Sequence, residues 1–417
     1  MPCESDKDGE GEMKMVEEII DFITGNDAVA YAVKMARVKV VAAYPITPQS
    51  PVTEKIAEYI NNGEMDTEFI AIEGEHSCLA AMRGAGVCGV RVFTATCGPG
   101  LMYAHENLEC VHRDRTPLVI AVPNRSYSSL FADYTDSMPE ATTGFIQVFV
   151  ESPQEALDTT LQAFRVAEDH RVLMPFMILY DGYVTSHTGA TVRLPSQEDV
   201  DKFLPPFKPY AVKVDPSRSE FIQWEAPGVP IQEMEHEQAM ENAREVIKLA
   251  NEEYAKIFGR RYGDGLLETY RVEDAEAVLV TMASMTGTAR QVIDMLREKG
   301  EKIGLIRLRT FRPFPIKEFQ ALQEKYSFKA MGVCERDVTH GCRYGEVYGD
   351  IKTSLYDLDN RPKMINFILG LGGADIRIPT LVTASEKVLY TAKTGKIEKE
   401  SWFGAEIGEV ETRLAAF

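Results

Sequence analysis

Four short stretches carry residue types suited to chemistry. "AIEGEHS" (71–77) sets Glu73 and Glu75 between an apolar run and the apolar helical positions around Leu79–Met82. "YPITPQSP" (44–51) holds Thr47 between Pro45 and Pro48, "TATCGPGLMY" (94–103) combines small residues with Gly98 and Gly100, and "AVPNRSYSS" (121–129) places Arg125 just past another apolar run. A carboxylate facing a cleft can serve as a general acid or base; one at a helix start can simply complement the helix dipole, worth under about 1 kcal/mol. The Thr47 hydroxyl either caps a helix that has Pro48 at its first position or touches a substrate, with Ser50 and Pro51 offering the same cap pairing one turn later. Arginine is the usual bidentate partner of a carboxylate, a surface ion pair being its other common use. The two glycines permit close backbone approach, yet they lack the third glycine of a dinucleotide fingerprint.

What must position these residues is a set of buried strands. "VKVVAAY" (38–44), "EFIAI" (68–72), "VRVFTAT" (90–96), "PLVIAV" (117–122), "FIQVFV" (145–150) and "PFMILYD" (175–181) are continuous apolar runs, the pattern of strands covered on both faces. Helical segments separate most of them: one through Ala36 capped by Asn26 or Asp27, one over 76–88, and one over 153–169 opened by Ser152 and Pro153. Such alternation predicts an α/β fold with a parallel sheet and helices on both faces, and ligands of such sheets gather beyond the carboxyl ends of the strands. All four chemical stretches lie at such ends. A second strand and helix series starts near Glu276, with "AVLVTMA" (277–283), "IGLIRLRTF" (303–311), "KAMGVCE" (329–335) and "MINFILG" (364–370). The expected division is a flexible tail over 1–19, a first domain over 20–200, a proline-rich connector and charged helical arm over 201–270, and a smaller α/β domain over 271–417.

The composition narrows the possibilities. The 417 residues suit two domains; 45% apolar and 26% charged residues are those of an ordinary globular chain, with no apolar run long enough to predict a membrane span. A net charge of −19 argues against nucleic-acid binding. The start of the chain lacks signal-peptide character, which predicts a cytoplasmic protein. The seven cysteines are scattered without a CxxC pair, so no iron–sulfur cluster set and no metal site is expected on this chain.

Several longer stretches together carry a resemblance: "YPITPQSPVTE", "IEGEHSCLAAMRGAGVCGVRVFTATCGPGL", "PLVIAVPNR", "TDSMPEATTGFIQVFVESPQEALD", "GLIRLRTFRPFP" and "INFILGLGGADI". In unbroken order over most of 20–400, they resemble the α-subunit of thiamine-diphosphate-dependent 2-oxoacid:ferredoxin oxidoreductases, the pyruvate synthase group. The resemblance implies a pyrimidine-binding domain for thiamine diphosphate followed by a domain like the carboxy-terminal domain of transketolase. It implies that Glu75 bonds the aminopyrimidine N1′ and so drives acid–base catalysis through the cofactor, that Thr47 contacts the substrate, and that Arg125 holds the carboxylate that leaves as carbon dioxide. Gly98 and Gly100 are expected to accompany Glu75 as cofactor-binding positions. Coenzyme A is the implied co-substrate.

In such enzymes the diphosphate is held through Mg²⁺ at a Gly-Asp-Gly motif with an asparagine downstream. "GDG" at 263–265 has no asparagine before Asn360, and "YDG" at 180–182 none before Asn242. Both read as turns. The implied partners are therefore a β-subunit carrying the Mg²⁺ and diphosphate site, and γ/δ-type subunits including a ferredoxin-like iron–sulfur subunit. The final acceptor stays open between ferredoxin and NAD, the latter through a flavoprotein subunit. After Arg125 the segment "NRSYSSLFADYTDSM" is a few residues shorter than in pyruvate-type members, with Tyr134 in place of a histidine; a shortened wall there predicts a bulkier aryl oxoacid such as phenylglyoxylate, with pyruvate as the alternative. A non-oxidative thiamine enzyme subunit and a structural subunit are the readings from other classes. His76 and Arg83 are expected to pack or cap, "GLGG" (370–373) to form a tight turn, and Arg307, Arg309 and Arg312 either to bind anionic coenzyme A or to bridge the domains.

Overall fold

The computed structural model describes residues 19–209, 214, 228–397 and 401–404; the expected tail lies outside them except Ile19. In chain order the strands are β1 (Ile19–Ile23), β2 (Val40–Ala43), β3 (Glu68–Ala71), β4 (Val92–Ala95), β5 (Val119–Asn124), β6 (Ile146–Phe149), β7 (Phe176–Asp181), β8 (Ala190–Leu194), β9 (Leu267–Tyr270), β10 (Ala277–Thr281), β11 (Ile303–Leu308), β12 (Thr310–Arg312), β13 (Ala330–Glu335), β14 (Lys363–Ile368) and β15 (Ser401–Trp402). One seven-stranded sheet has the order β12-β6-β7-β5-β4-β2-β3, and all its pairings are parallel except that of β12 with β6. A second sheet of six strands has the order β15-β14-β13-β10-β11-β9, with β9 alone antiparallel. The fold is mixed α/β with parallel sheets. Ile19 begins a small antiparallel ladder of β1 with β8.

The apolar runs are continuous because alternate residues serve different cores. On β5 and β7, Ile120, Val122, Met177 and Leu179 face the helices Glu75–Gly86 and His105–Arg113 and merge with the core of the second sheet. Val119, Ala121, Phe176, Ile178 and Tyr180 face the opposite way, toward the helices Gly25–Met35 and Pro153–Ala167. The helix Val229–Phe258, expected as an arm, packs into that second core through Ala239, Ala243, Val246, Ile247, Ala250 and Tyr254.

Three local expectations are corrected. The helix Gly25–Met35 is capped by Thr24, not by Asn26 or Asp27: Asp27 N donates to Thr24 Oγ1 and Thr24 N to Asp27 Oδ2, both at 3.2 Å, a capping box. Asn26 is fully buried and braces the Thr47 loop instead. Neither Thr47 nor Ser50 caps the helix Ser50–Asn61, whose flanking residue Gln49 makes no side-chain cap bond. The run 303–311 is not one strand: after Leu308 the chain crosses at Arg309, and β12 joins the first sheet beside β6. Ser152 does cap the helix Pro153–Ala167, accepting from Glu155 N at 3.2 Å.

Arg309 crosses because its charge has a destination in the first domain. Its Nε donates to Glu155 Oε1 at 2.9 Å, and Arg307 Nη2 donates to Glu155 Oε2 at 2.5 Å. Arg312 pairs with Asp350 at 2.7 Å. All three arginines are therefore committed to ion pairs rather than presented to an anionic ligand. At the same seam Arg336 Nη1 donates to Asp181 Oδ1 at 2.5 Å, and Ser284 N donates to Asp181 Oδ2 at 2.9 Å. The Gly370–Gly373 turn closes against the first domain: Gly372 N donates to Asp133 Oδ2 at 2.8 Å, and a Cβ on Gly373 would lie 2.2 Å from Phe131 Cβ. "GDG" at 263–265 is a turn in which Asp264 Oδ1 accepts from Leu266 N and Leu267 N.

Candidate active site

The four chemical stretches follow four adjacent strands. In the order β5-β4-β2-β3, Arg125 follows β5, Gly98 and Gly100 follow β4, Thr47 follows β2, and Glu75 follows β3. Parallel pairing puts all four carboxyl ends on one edge of the sheet.

Glu73 and Glu75 separate cleanly. Glu73 accepts a hydrogen bond from Ser77 Oγ at 2.6 Å, which holds its exposed carboxyl below the usual range. Glu75, the first residue of its helix, is 7% exposed, and among the described residues no donor reaches its carboxylate. It lies against Gly100, where a Cβ would stand 2.2 Å from Glu75 Oε1. His76, next in sequence, bonds Glu106 Oε2 at 3.1 Å with its ring tilted against that of Tyr103, while Arg83 pairs with Asp114. Neither caps the helix; both pair with a carboxylate side chain.

Arg125 leans on the same glycine turn. A Cβ at Gly98, whose φ is +55°, would lie 2.6 Å from Arg125 Nε. Gly98 and Gly100 are thus two residues apart, one against the arginine and one against the acid. The guanidinium is steered by Thr47, whose carbonyl accepts from Arg125 Nη1 at 2.6 Å. Thr47 itself is exposed, follows β2 in a turn ending in a cis Thr47–Pro48 peptide, and its hydroxyl has no partner among the described residues. The loop below it is braced: Asn26 Nδ2 donates to Pro48 O at 2.9 Å, and Tyr180 OH donates to Asn26 Oδ1 at 2.9 Å. Cys97 Sγ donates to Thr47 O at 3.4 Å. Burial pushes that thiol up, and the charges of Asp136, Arg125 and Glu75 all reach it, which shows how closely the three gather around this turn.

Two buried polar residues at the site carried no expectation. Asp136 is fully buried and accepts from Gly98 N at 2.8 Å, Arg125 N at 3.0 Å and Asn124 Nδ2 at 2.8 Å. Burial pushes its carboxyl up to about 7 against those three donors. Asn124, the last residue of β5, also donates to Ser137 Oγ at 2.7 Å. Asp136 stands inside the stretch "TDSMPEATTGF", but nothing in its spacing told which side of the sheet edge it would occupy.

Tyr134 does not line the open edge. It is completely buried, its ring 4.9 Å from Phe149 and beneath the Arg336 guanidinium at 5.6 Å. Tyr134 therefore packs between the two sheets' cores rather than lining a substrate wall. The edge is instead rimmed by exposed apolar side chains, Tyr44, Met102, Tyr103, Tyr127, Leu130 and Phe131. Among the described residues no cluster of His, Cys, Asp and Glu could hold a metal, and no helix is long and apolar enough to cross a membrane.

Thiamine diphosphate fits these residues on the pyrimidine side. A buried, donor-free carboxylate cradled by a glycine is suited to a ring nitrogen that carries a proton.

Comparison with known proteins agrees. Residues 31–256 match the family described as pyruvate flavodoxin/ferredoxin oxidoreductase, thiamine diphosphate-binding, and residues 275–381 match pyruvate:ferredoxin oxidoreductase core domain II. The chain is 42% identical over 387 residues to pyruvate synthase subunit PorA of Pyrococcus horikoshii, covering 91% of this chain and 96% of that one. It is 39% identical to ketoisovalerate oxidoreductase subunit VorA of the same organism, again covering 91% of this chain and 97% of the relative. Among solved structures, the 2-oxoglutarate:ferredoxin oxidoreductase from Magnetococcus marinus superposes with a TM-score of 0.66 at 20% identity, covering 89% of this chain and 65% of that larger one. A split-gene transketolase superposes at 0.54 and 10% identity, over 89% of this chain and 99% of its own. The last two likenesses concern the fold alone. The chain belongs to the α-subunits of the thiamine-diphosphate-dependent 2-oxoacid:ferredoxin oxidoreductases and is a component of an oxidoreductase enzyme.

Proposed function

We propose that this chain provides the pyrimidine side of a shared thiamine diphosphate site in a complex that converts a small aliphatic 2-oxoacid, pyruvate foremost, and coenzyme A into acyl-CoA and carbon dioxide, passing two electrons to ferredoxin. The observation that carries it is the buried, donor-free Glu75 carboxylate set against Gly100 on the edge where Arg125 and Thr47 also meet. Thiamine diphosphate, when bound, supplies an acidic ring carbon that acts as nucleophile and electron sink. Glu75 holds the proton at the pyrimidine nitrogen. Arg125, its direction set by the Thr47 carbonyl, binds the oxoacid carboxylate through its remaining N–H groups. The Thr47 hydroxyl, free of any capping duty, orients the oxo group. Gly98 and Gly100 keep room for the arginine and the acid.

The exposed apolar rim around this edge supports a partner chain that closes the site and brings the Mg²⁺ and diphosphate half. Iron–sulfur clusters belong to further subunits in this reading, since no cysteine set for them is visible in the sequence. The pyrimidine-binding domain is taken as 20–200, the connector as 201–270 and the second domain as 271–417.

Small aliphatic substrates are favoured over aryl ones for two reasons. Tyr134 is buried and so does not line a substrate pocket, and similar relatives are named for pyruvate and ketoisovalerate. Steady-state kinetics of the purified complex with coenzyme A, a viologen acceptor and pyruvate, 2-oxoisovalerate, 2-oxoglutarate or phenylglyoxylate test this. Pyruvate is expected to give the highest kcat/KM; a higher value for phenylglyoxylate would restore the aryl assignment.

A further inference from the structure

We infer that Asp136 is a positioning residue for the oxoacid site, fixing Arg125 and the surface it lies on with a single carboxylate oxygen. The inference rests on the reading of Arg125 as the oxoacid carboxylate binder. Asp136 Oδ2 accepts two backbone N–H groups, from Arg125 at 3.0 Å and from Gly98 at 2.8 Å. The first is the base of the arginine itself. The second belongs to the glycine against which the arginine side chain packs, where a Cβ would stand 2.6 Å from Nε. The ends of β4 and β5 are thereby locked to one another at the height of the guanidinium. Oδ1 is held in turn by Asn124 Nδ2 at 2.8 Å, so the carboxylate has no freedom to follow a moving loop.

Burial makes this arrangement informative. Asp136 is 0% exposed, and desolvating a carboxylate is costly enough that a mere surface-loop tie does not call for it. Its bonds all go to residues at the two strand ends. A guanidinium that binds a carboxylate through two parallel N–H bonds depends on its direction for that contact, so anchoring Arg125 at its backbone offsets that cost in oxoacid binding. Asp136 touches no reacting atom in this account. It acts on the oxoacid through the arginine, so its loss falls on KM.

The test uses the assembled complex with Asp136→Ala, Asp136→Asn and Arg125→Met, measuring kcat and KM for the preferred oxoacid, and thiamine diphosphate affinity by calorimetry. Asp136→Ala is expected to raise KM about tenfold or more, with kcat within about threefold and cofactor affinity unchanged. Asp136→Asn keeps an amide oxygen for both backbone N–H groups while the Asn124 amide turns over to meet its NH₂, so KM rises only about two- to fivefold. The graded order of the two variants is what a general folding defect does not produce. If Asp136→Ala fails to assemble, Asp136→Asn decides alone: an unchanged KM overturns the inference. A loss that falls on kcat and on cofactor affinity overturns it as well. Arg125→Met separates the two layers, because a raised KM there with normal Asp136 variants defeats the positioning role, whereas an unchanged KM in Arg125→Met defeats the reading of the arginine itself.

Discussion

The carboxylate of Glu75 occupies the space that any side chain at residue 100 would need: a Cβ on Gly100 would lie 2.2 Å from Glu75 Oε1 and 2.6 Å from Cδ. The close approach couples the helix after β3 to the turn after β4. Alanine is the better helix former by about 1 kcal/mol, so Gly100→Ala is expected to leave chain stability intact while displacing the acid. Turnover of the assembled complex should fall by about 10²-fold. Full activity in Gly100→Ala would show that the position of Glu75 is not critical.

Thr47 separates capping from chemistry. Its hydroxyl has no partner among the described residues, and the helix Ser50–Asn61 begins beyond it. Thr47→Val should therefore leave the unfolding free energy from urea denaturation within about 0.5 kcal/mol of the wild type, whereas loss of a true cap costs about 1 kcal/mol. kcat/KM for the oxoacid should drop. A variant that is destabilised but fully active would return Thr47 to a structural role.

Much of the fold was legible because strand burial on both faces leaves a long apolar signature, as in "PLVIAV" and "PFMILYD". The candidate site was legible in part: Thr47, Glu75, Gly98, Gly100 and Arg125 all follow strands that prove to be neighbours. What could not be read is the burial of polar side chains by distant parts of the chain. Asn26 looked like a cap and is a brace under Pro48. Tyr134 looked like part of a substrate wall and is packed beneath Arg336. Asp136 carries three N–H bonds from two strand ends, contacts that no local spacing encodes.

The domain seam depends on Glu155, which is 0% exposed and shared by Arg307 and Arg309, each 1% exposed. Removing one member of a buried charged set strands the others and costs about 3–5 kcal/mol. Glu155→Ala should lower stability by that order in urea denaturation of the full chain. A loss below about 1 kcal/mol would mean that the cluster relaxes into water.

A pH-dependent term lies where the helix Val229–Phe258 meets His105–Arg113. His112 Nε2 and His236 Nδ1 are 2.8 Å apart, with His112 Nδ1 3.0 Å from Thr143 O and the charges of Arg113 and Arg115 nearby. Burial, with His236 and the two arginines, lowers His112 from 6.5 to about 4. The unfolded chain thus binds the proton first, so stability from the neutral ring is full above pH 6.5 and falls as pH drops toward 4. Between pH 7 and 5.5 the wild type should lose roughly 1 kcal/mol more than His112→Gln. Parallel pH curves for the two proteins would contradict this.

If Glu75 acts on the cofactor, Glu75→Gln in the assembled complex is the decisive variant. The variant keeps the shape of the side chain and removes its ability to hold the proton. Assembly is expected to stay intact and thermal stability unchanged, with oxoacid turnover lowered by roughly 10²–10⁴-fold. Turnover equal to the wild type in a correctly assembled Glu75→Gln complex would contradict that role.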